Sequence, residues 1–152
     1  MKLPHFLTTG FLFYVAITQG AQAVIFTWDP DSGTAGNQGS GNWNTTDPEW
    51  YVTAGTYVGW TNSTSNTALF ASTLSGGAQT ATVTADITVG NIASQQGTNV
   101  ITLDPSTTLS LGANGTNSNS ISVSNNSFQI NGTGTVLLTT SSSWNATVSS
   151  LT

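Results

Sequence analysis

The run from Ala81 to Ile92 reads A-T-V-T-A-D-I-T-V-G-N-I, with apolar residues and small polar ones taking turns. Val83 stands between Thr82 and Thr84, and Ile87 and Val89 flank Thr88. A period of two places the apolar side chains on one face of an extended strand and the hydroxyls on the other. The same apolar–hydroxyl–apolar triplet returns as Ile101-Thr102-Leu103, Leu109-Ser110-Leu111 and Ile121-Ser122-Val123. No stretch sustains the i, i+3, i+4, i+7 stripe of an amphipathic helix, so the chain is expected to be all-β.

Strands are predicted over Thr67–Ala71, Ala78–Thr84, Ile87–Ile92, Asn99–Leu103, Thr108–Leu111, Ser120–Val123, Phe128–Ile130, Thr135–Thr139 and Ala146–Leu151. Turn signals divide them, among them Ser75-Gly76-Gly77, Asp104-Pro105 and Asn131-Gly132, and Gly90-Asn91 reads as a turn within the Ala81–Ile92 run. Two architectures accept such a series. An antiparallel β-sandwich joins its strands by hairpins, and Asn131-Gly132 is a favourable hairpin dipeptide. A β-solenoid instead stacks like residues over like residues, with aliphatic ladders inside and hydroxyl ladders outside. The likeness of the triplets favours the solenoid, although they begin at positions 87, 101, 109 and 121, an uneven spacing that makes the repeat imperfect.

The start of the chain has the form of a signal peptide. Met1-Lys2 gives a positive start, Phe6 to Ile17 is mostly apolar, and Ala21-Gln22-Ala23 has the small-x-small form of a cleavage site. Cleavage is expected after Ala23, so residues 1–23 are assigned to the leader. The apolar run is shorter than the roughly 20 residues of a membrane-spanning helix. The chain is therefore expected to be exported, with no transmembrane segment. The length from Val24 to Thr152 makes one ordinary domain.

Export removes Lys2 and His5, the only residues of the Lys/Arg and His classes. Six carboxylates remain without a cationic side chain. Phosphate backbones are held chiefly by Lys and Arg, so nucleic acid is not an expected partner. Attraction to anionic lipid lacks a source for the same reason. There is no Cys, which for an exported domain of this size leans toward a bacterial origin.

Residues 24–66 form a distinct opening. They hold Trp28, Trp43, Trp50 and Trp60, four of the five Trp, and four of the six acids. Asp29-Pro30-Asp31-Ser32-Gly33 reads as a turn and Gly36 to Gly41 as a loop without periodicity. Trp43, Trp50-Tyr51-Val52, Tyr57-Val58 and Trp60 read as short aromatic strands.

Several runs resemble one known group. They are Trp28–Trp50 (W-D-P-D-S-G-T-A-G-N-Q-G-S-G-N-W-N-T-T-D-P-E-W), Val58-Gly59-Trp60-Thr61-Asn62, Thr67-Ala68-Leu69-Phe70 and Asp86-Ile87-Thr88-Val89-Gly90-Asn91-Ile92. In their order they resemble the opening of bacterial autotransporter-like surface proteins that carry autotransporter-associated β-strand repeats. Gly132 to Thr139 is similar to the start of one such repeat. The resemblance implies a right-handed parallel β-helix; residues 24–66 are assigned to a Trp-rich N-terminal cap and 67–152 to solenoid strands, expected to be truncated at the C-terminus. It implies display at the cell surface or outer membrane of a Gram-negative-type bacterium, with an adhesive or structural role. After Thr139 the sequence Thr140 to Asn145 departs from the repeat.

Chemistry has few candidates. The chain from Val24 lacks His, Cys and Lys, so triads and histidine-bound metals are not available, and no catalytic residue or cofactor is assigned. A two-carboxylate glycosidase would have to use Asp47 with Glu49 or Asp29 with Asp31, and nothing else supports it. Asp29 and Asp31, with the carbonyls near Ser32-Gly33, are conceivable Ca²⁺ ligands, but an Asp-Pro-Asp-Ser-Gly run is the commoner signature of a plain turn. The Trp residues read in two ways. As a cap they would cover an end of a stack that has no neighbour. As exposed platforms, Trp43, Trp50 and Trp60 would stack on sugar rings, the basis of the alternative reading as a secreted carbohydrate-binding module. Surface glycans or proteins are the partners expected on either reading.

Overall fold

The structure, a computed structural model, describes residues 22–31, 39–53, 55–71, 78–112, 120–124 and 127–138, and the backbone of 143–147. The expected leader lies outside these residues except for Gln22 and Ala23. All regular structure described is β. The strands are β1 (Ile25–Trp28), β2 (Gly39–Trp43), β3 (Trp50–Thr53), β4 (Thr56–Val58), β5 (Ser63–Ala71), β6 (Ala78–Val83) and β7 (Ile87–Gln96). They continue as β8 (Thr98–Leu103), β9 (Thr108–Leu111), β10 (Ser120–Ser124), β11 (Ser127–Gly132), β12 (Thr135–Leu138) and β13 (Ser143–Thr147).

Two sheets result. A four-stranded sheet runs β11-β8-β6-β2 and is parallel throughout. A nine-stranded sheet runs β12-β9-β7-β5-β1-β3-β4 and forks at β7, whose second half pairs with β10, which in turn pairs with β13. Antiparallel pairing among the described strands is confined to β1–β3 and β3–β4. The antiparallel sandwich is therefore not the arrangement that forms.

The parallel registers stack like residues. In the four-stranded sheet Trp43 pairs with Val83, Val83 with Leu103, and Ala81 with Ile101, all buried. On the opposite face Asn42 pairs with Thr82, Thr82 with Thr102, and Thr102 with Asn131. In the nine-stranded sheet Phe26, Ala68, Ile92 and Ile121 form one inward column, and Ile87 with Leu109 and Val89 with Leu111 form two more. The inward residues of both sheets make one hydrophobic core. The triplets thus lie as their alternation requires, with aliphatic residues inside and hydroxyls outside.

Three turn assignments are corrected. Gly90-Asn91 lies inside β7, not in a turn. The pairing with β5 shifts register beside it, between Ser63 and Thr67, and a Cβ on Gly90 would fall on the Thr64 carbonyl of that neighbouring strand. Asn131-Gly132 belongs to β11, in register with Thr102 and Leu103, and β12 pairs with β9 instead of folding back as a hairpin. The loop expected over Gly36 to Gly41 becomes strand from Gly39. Its inward positions before Trp43 are Gly39 and Gly41, so it carries no apolar alternation to read. Among the described residues no helix is long and apolar enough to cross a membrane.

Candidate functional site

The features with chemical potential gather in the first strands of the chain. Trp28 ends β1, Trp43 ends β2, Trp50 opens β3, and Trp60 follows β4. The pairings of β1 with β3 and of β2 with β6 bring these four rings together with Phe26 and Phe70. Trp50 is the hub, with ring centroids 4.9 Å from Trp28, 5.0 Å from Trp43 and 5.0 Å from Trp60. Most of the contacts are edge-to-face or tilted, the orientation that sets a ring edge against a π face.

Burial settles how these rings can be used in this fold. Trp43 and Trp50 are 0% exposed and Trp60 is 1% exposed. None of the three offers a face to a sugar ring, so the platform expected of Trp43, Trp50 and Trp60 is absent from the folded surface. The reason is the scarcity of other large side chains: each Trp that enters the core contributes roughly 2–3 kcal/mol of apolar burial. The indole N–H of Trp60 donates to the Thr88 carbonyl at 3.1 Å and that of Trp28 to the Gly39 carbonyl at 3.4 Å. The indole N–H groups of Trp43 and Trp50 are buried without a hydrogen-bond partner.

An acidic fringe borders the rings. Asp29 is 1% exposed and accepts a 2.6 Å bond from the Tyr57 hydroxyl. That bond, with burial and the nearby negative charge, raises the Tyr57 pKa to about 12. The Glu49 carboxyl packs against Gly41 of β2, where a Cβ would fall on its oxygen. Its Oε2 is buried without a hydrogen-bond partner. Burial pushes the Glu49 pKa up, a backbone bond from Asn42 opposes this, and the charge of Asp47 adds to the rise. Asp47 accepts from the side chain of Asn44 at 2.8 Å and of Asn42 at 3.4 Å.

These acids have structural partners. Asp47 is held inside an Asn44 turn, in which the Asn44 side-chain oxygen accepts from the backbone N–H groups of Thr46 and Asp47. Asp29 is engaged by Tyr57. Among the described residues no group of three or more His, Cys, Asp or Glu side chains is placed to hold a metal ion. Ser32 and Gly33, whose carbonyls were considered for Ca²⁺, lie outside the described residues.

Asp86 and Asp104 lie at corners between strands. The Asp86 carboxylate accepts from the Thr108 backbone N–H at 2.8 Å, and its carbonyl accepts from the Asn62 amide at 3.1 Å. Asn62 in turn accepts from Thr88 N–H at 2.8 Å, so this corner is tied across successive strands. The Asp104 carbonyl accepts from both the backbone and the hydroxyl of Thr107. Among the strand asparagines, Asn91 accepts from the N–H and hydroxyl of Ser120, and Asn99 donates to Ser94 and Gln96.

The hydroxyl ladders expected on the outside of the strands assemble into a defined surface, whose residues the sequence alone did not place. The outer face of the four-stranded sheet carries Ser40 and Asn42, Thr80 and Thr82, Val100 and Thr102, and Gln129 and Asn131 in successive rows. Among the described residues these rows carry no charged side chain, the Asp47 carboxylate reaching Asn42 at one edge, and Thr102 donates to Asn131 across the face at 2.9 Å. The signal was the outward half of each alternation, which becomes a surface only once the rows are in register.

Comparison with protein-family models, with curated proteins and with solved structures finds no match to this chain.

Proposed function

We propose that the chain is an exported surface segment, a parallel β-helix with an aromatic N-terminal cap that acts in adhesion or surface architecture and not as an enzyme. The observation that carries this reading is the repeated parallel, in-register pairing of β2, β6, β8 and β11, which sets rows of hydroxyls and amides on one uncharged face. Such groups both donate and accept hydrogen bonds, so the face suits partners that do the same, glycans or protein surfaces. The Trp cluster supports the cap. It lies where β1 and β2 meet the β3–β4 hairpin, at the edge of both sheets. The form of residues 1–23 and the resemblance to autotransporter-like openings support export to the surface of a Gram-negative-type bacterium.

The test has two readouts. Expressed in a Gram-negative host, the chain should leave the cytoplasm with its N-terminus at Val24. Beads coated with it should adhere to cells or to a neutral polysaccharide, and the double variant Thr82→Glu/Thr102→Glu should reduce that adhesion with the fold intact. Retention with Met1 intact, or no adhesion above bare beads, contradicts the proposal.

A further inference from the structure

Every proline from Val24 onward follows an aspartate, in Asp29-Pro30, Asp47-Pro48 and Asp104-Pro105. An Asp-Pro bond carries its own nucleophile, because the side-chain carboxyl can close a five-membered ring on the carbonyl of the same residue. The group it displaces is the proline nitrogen, which has no N–H to hold it in a ladder.

The fold treats these bonds differently. Asp29 is buried, and its carboxylate accepts from the Tyr57 hydroxyl at 2.6 Å. The Asp47 carboxylate accepts from the Asn44 amide at 2.8 Å. Both are committed to other groups. The Asp104 carboxylate accepts no hydrogen bond from the described residues.

At Asp104 it is the main-chain carbonyl that is engaged. Its oxygen accepts from the Thr107 N–H at 3.2 Å and from the Thr107 hydroxyl at 2.8 Å. Thr107 is buried, and its hydroxyl also lies 3.4 Å from the Val83 carbonyl. Gly134 closes another side, where a Cβ would fall 2.8 Å from the same Asp104 oxygen. Two fixed donors on one carbonyl oxygen stabilise the negative charge that develops there when the carbon is attacked. Between Pro105 and Thr107, Ser106 has a φ of 68°, the one positive value at a non-glycine among the described residues. That turn position usually takes Gly or Asn, so the serine is strained and a break at Pro105 releases it.

We propose that Asp104–Pro105 is a self-cleavage site, an intramolecular acyl transfer with the chain as its own substrate and water as co-reactant. The Asp104 carboxyl oxygen attacks the Asp104 main-chain carbonyl carbon, and the oxyanion forms against Thr107. The bond to the Pro105 nitrogen then breaks, and the carboxyl proton passes to that nitrogen. A cyclic anhydride is left on Asp104. Water opens it, giving one chain that ends at Asp104 and another that begins at Pro105. Pro105 and Ser106 are exposed, so water has access. The two pieces stay paired, because β8 keeps β6 and β11 while β9 keeps β7 and β12.

The test is incubation of the purified chain in mildly acidic buffer that preserves its native circular dichroism, with fragments read by mass. Cleavage after Asp104 should be at least about tenfold faster than after Asp29 or Asp47. In the guanidinium-unfolded chain that preference should disappear. Thr107→Val should slow the cleavage by about tenfold or more, and Asp104→Asn should abolish it. If Thr107→Val misfolds, the comparison of the Asp-Pro bonds within the wild-type chain still decides. A folded chain that stays intact or cleaves equally at all of them overturns the proposal. So does a preference for Asp104 that survives unfolding, or an unchanged rate in folded Thr107→Val.

Discussion

Trp50 meets Phe26, Trp28, Trp43, Trp60 and Phe70, so its removal should be felt by the whole first tier. Trp50→Ala is expected to cost about 3–5 kcal/mol in urea denaturation. Trp50→Phe should cost less, because it also removes a buried N–H that has no partner. Glu49 gives a pH dependence of unusual sign for a carboxylate. Its folded pKa is raised, so the protonated form is favoured in the fold, and stability should rise as pH falls through that pKa toward the ordinary 4.5. The difference between wild type and Glu49→Gln in denaturation midpoint should shrink from pH 7 to pH 5. A constant difference would show that the buried oxygen is solvated. Tyr57 acts at the alkaline end. Its pKa is raised from 10.0 to about 12, so its stabilising bond is complete below pH 10 and lost as pH rises through about 12. A tyrosinate absorbance titration should show this late component, moved to lower pH by Asp29→Asn.

At the scale of the element, Ile87 tests which face of β7 is inward. It is 1% exposed and pairs with Leu109, so Ile87→Asp should destabilise by at least about 3 kcal/mol, whereas Thr82→Asp on the outer face of β6 should be tolerated. Equal melting temperatures for Ile87→Asp and wild type would mean the faces are reversed. These strands could be read from the sequence because both halves of the alternation were informative. β8 and β9 lie within a residue of their expected bounds for that reason. β2 could not be read, since two of its three inward residues are glycines, and the space beside Gly41 is taken by the Glu49 carboxyl, eight residues away in the chain. Gly90 misled in the opposite sense. Its lack of a side chain answers to the backbone of β5 and not to a turn, and local sequence does not record that approach. The Trp cluster was visible as a composition shift, but its burial depended on which strands became neighbours.

For the whole molecule, the strands repeat with uneven intervals yet pair in register. Val83 to Leu103 is one step and Leu103 to Gly132 a longer one, the difference being absorbed in the connections. That is why triplet spacing alone left the architecture open, while the pairing yields parallel sheets. The outer face follows directly from this parallel registry, and with it the proposed role in surface contact. The most direct test is a designed disulfide between residues that only parallel registry makes adjacent. Thr82 and Thr102 are in-register partners on the outer face, at a spacing suited to a disulfide. The double variant Thr82→Cys/Thr102→Cys should oxidise readily to an intramolecular bridge and keep the wild-type circular dichroism. Failure to form that bridge in a folded chain, or its formation only between molecules, would contradict the parallel arrangement.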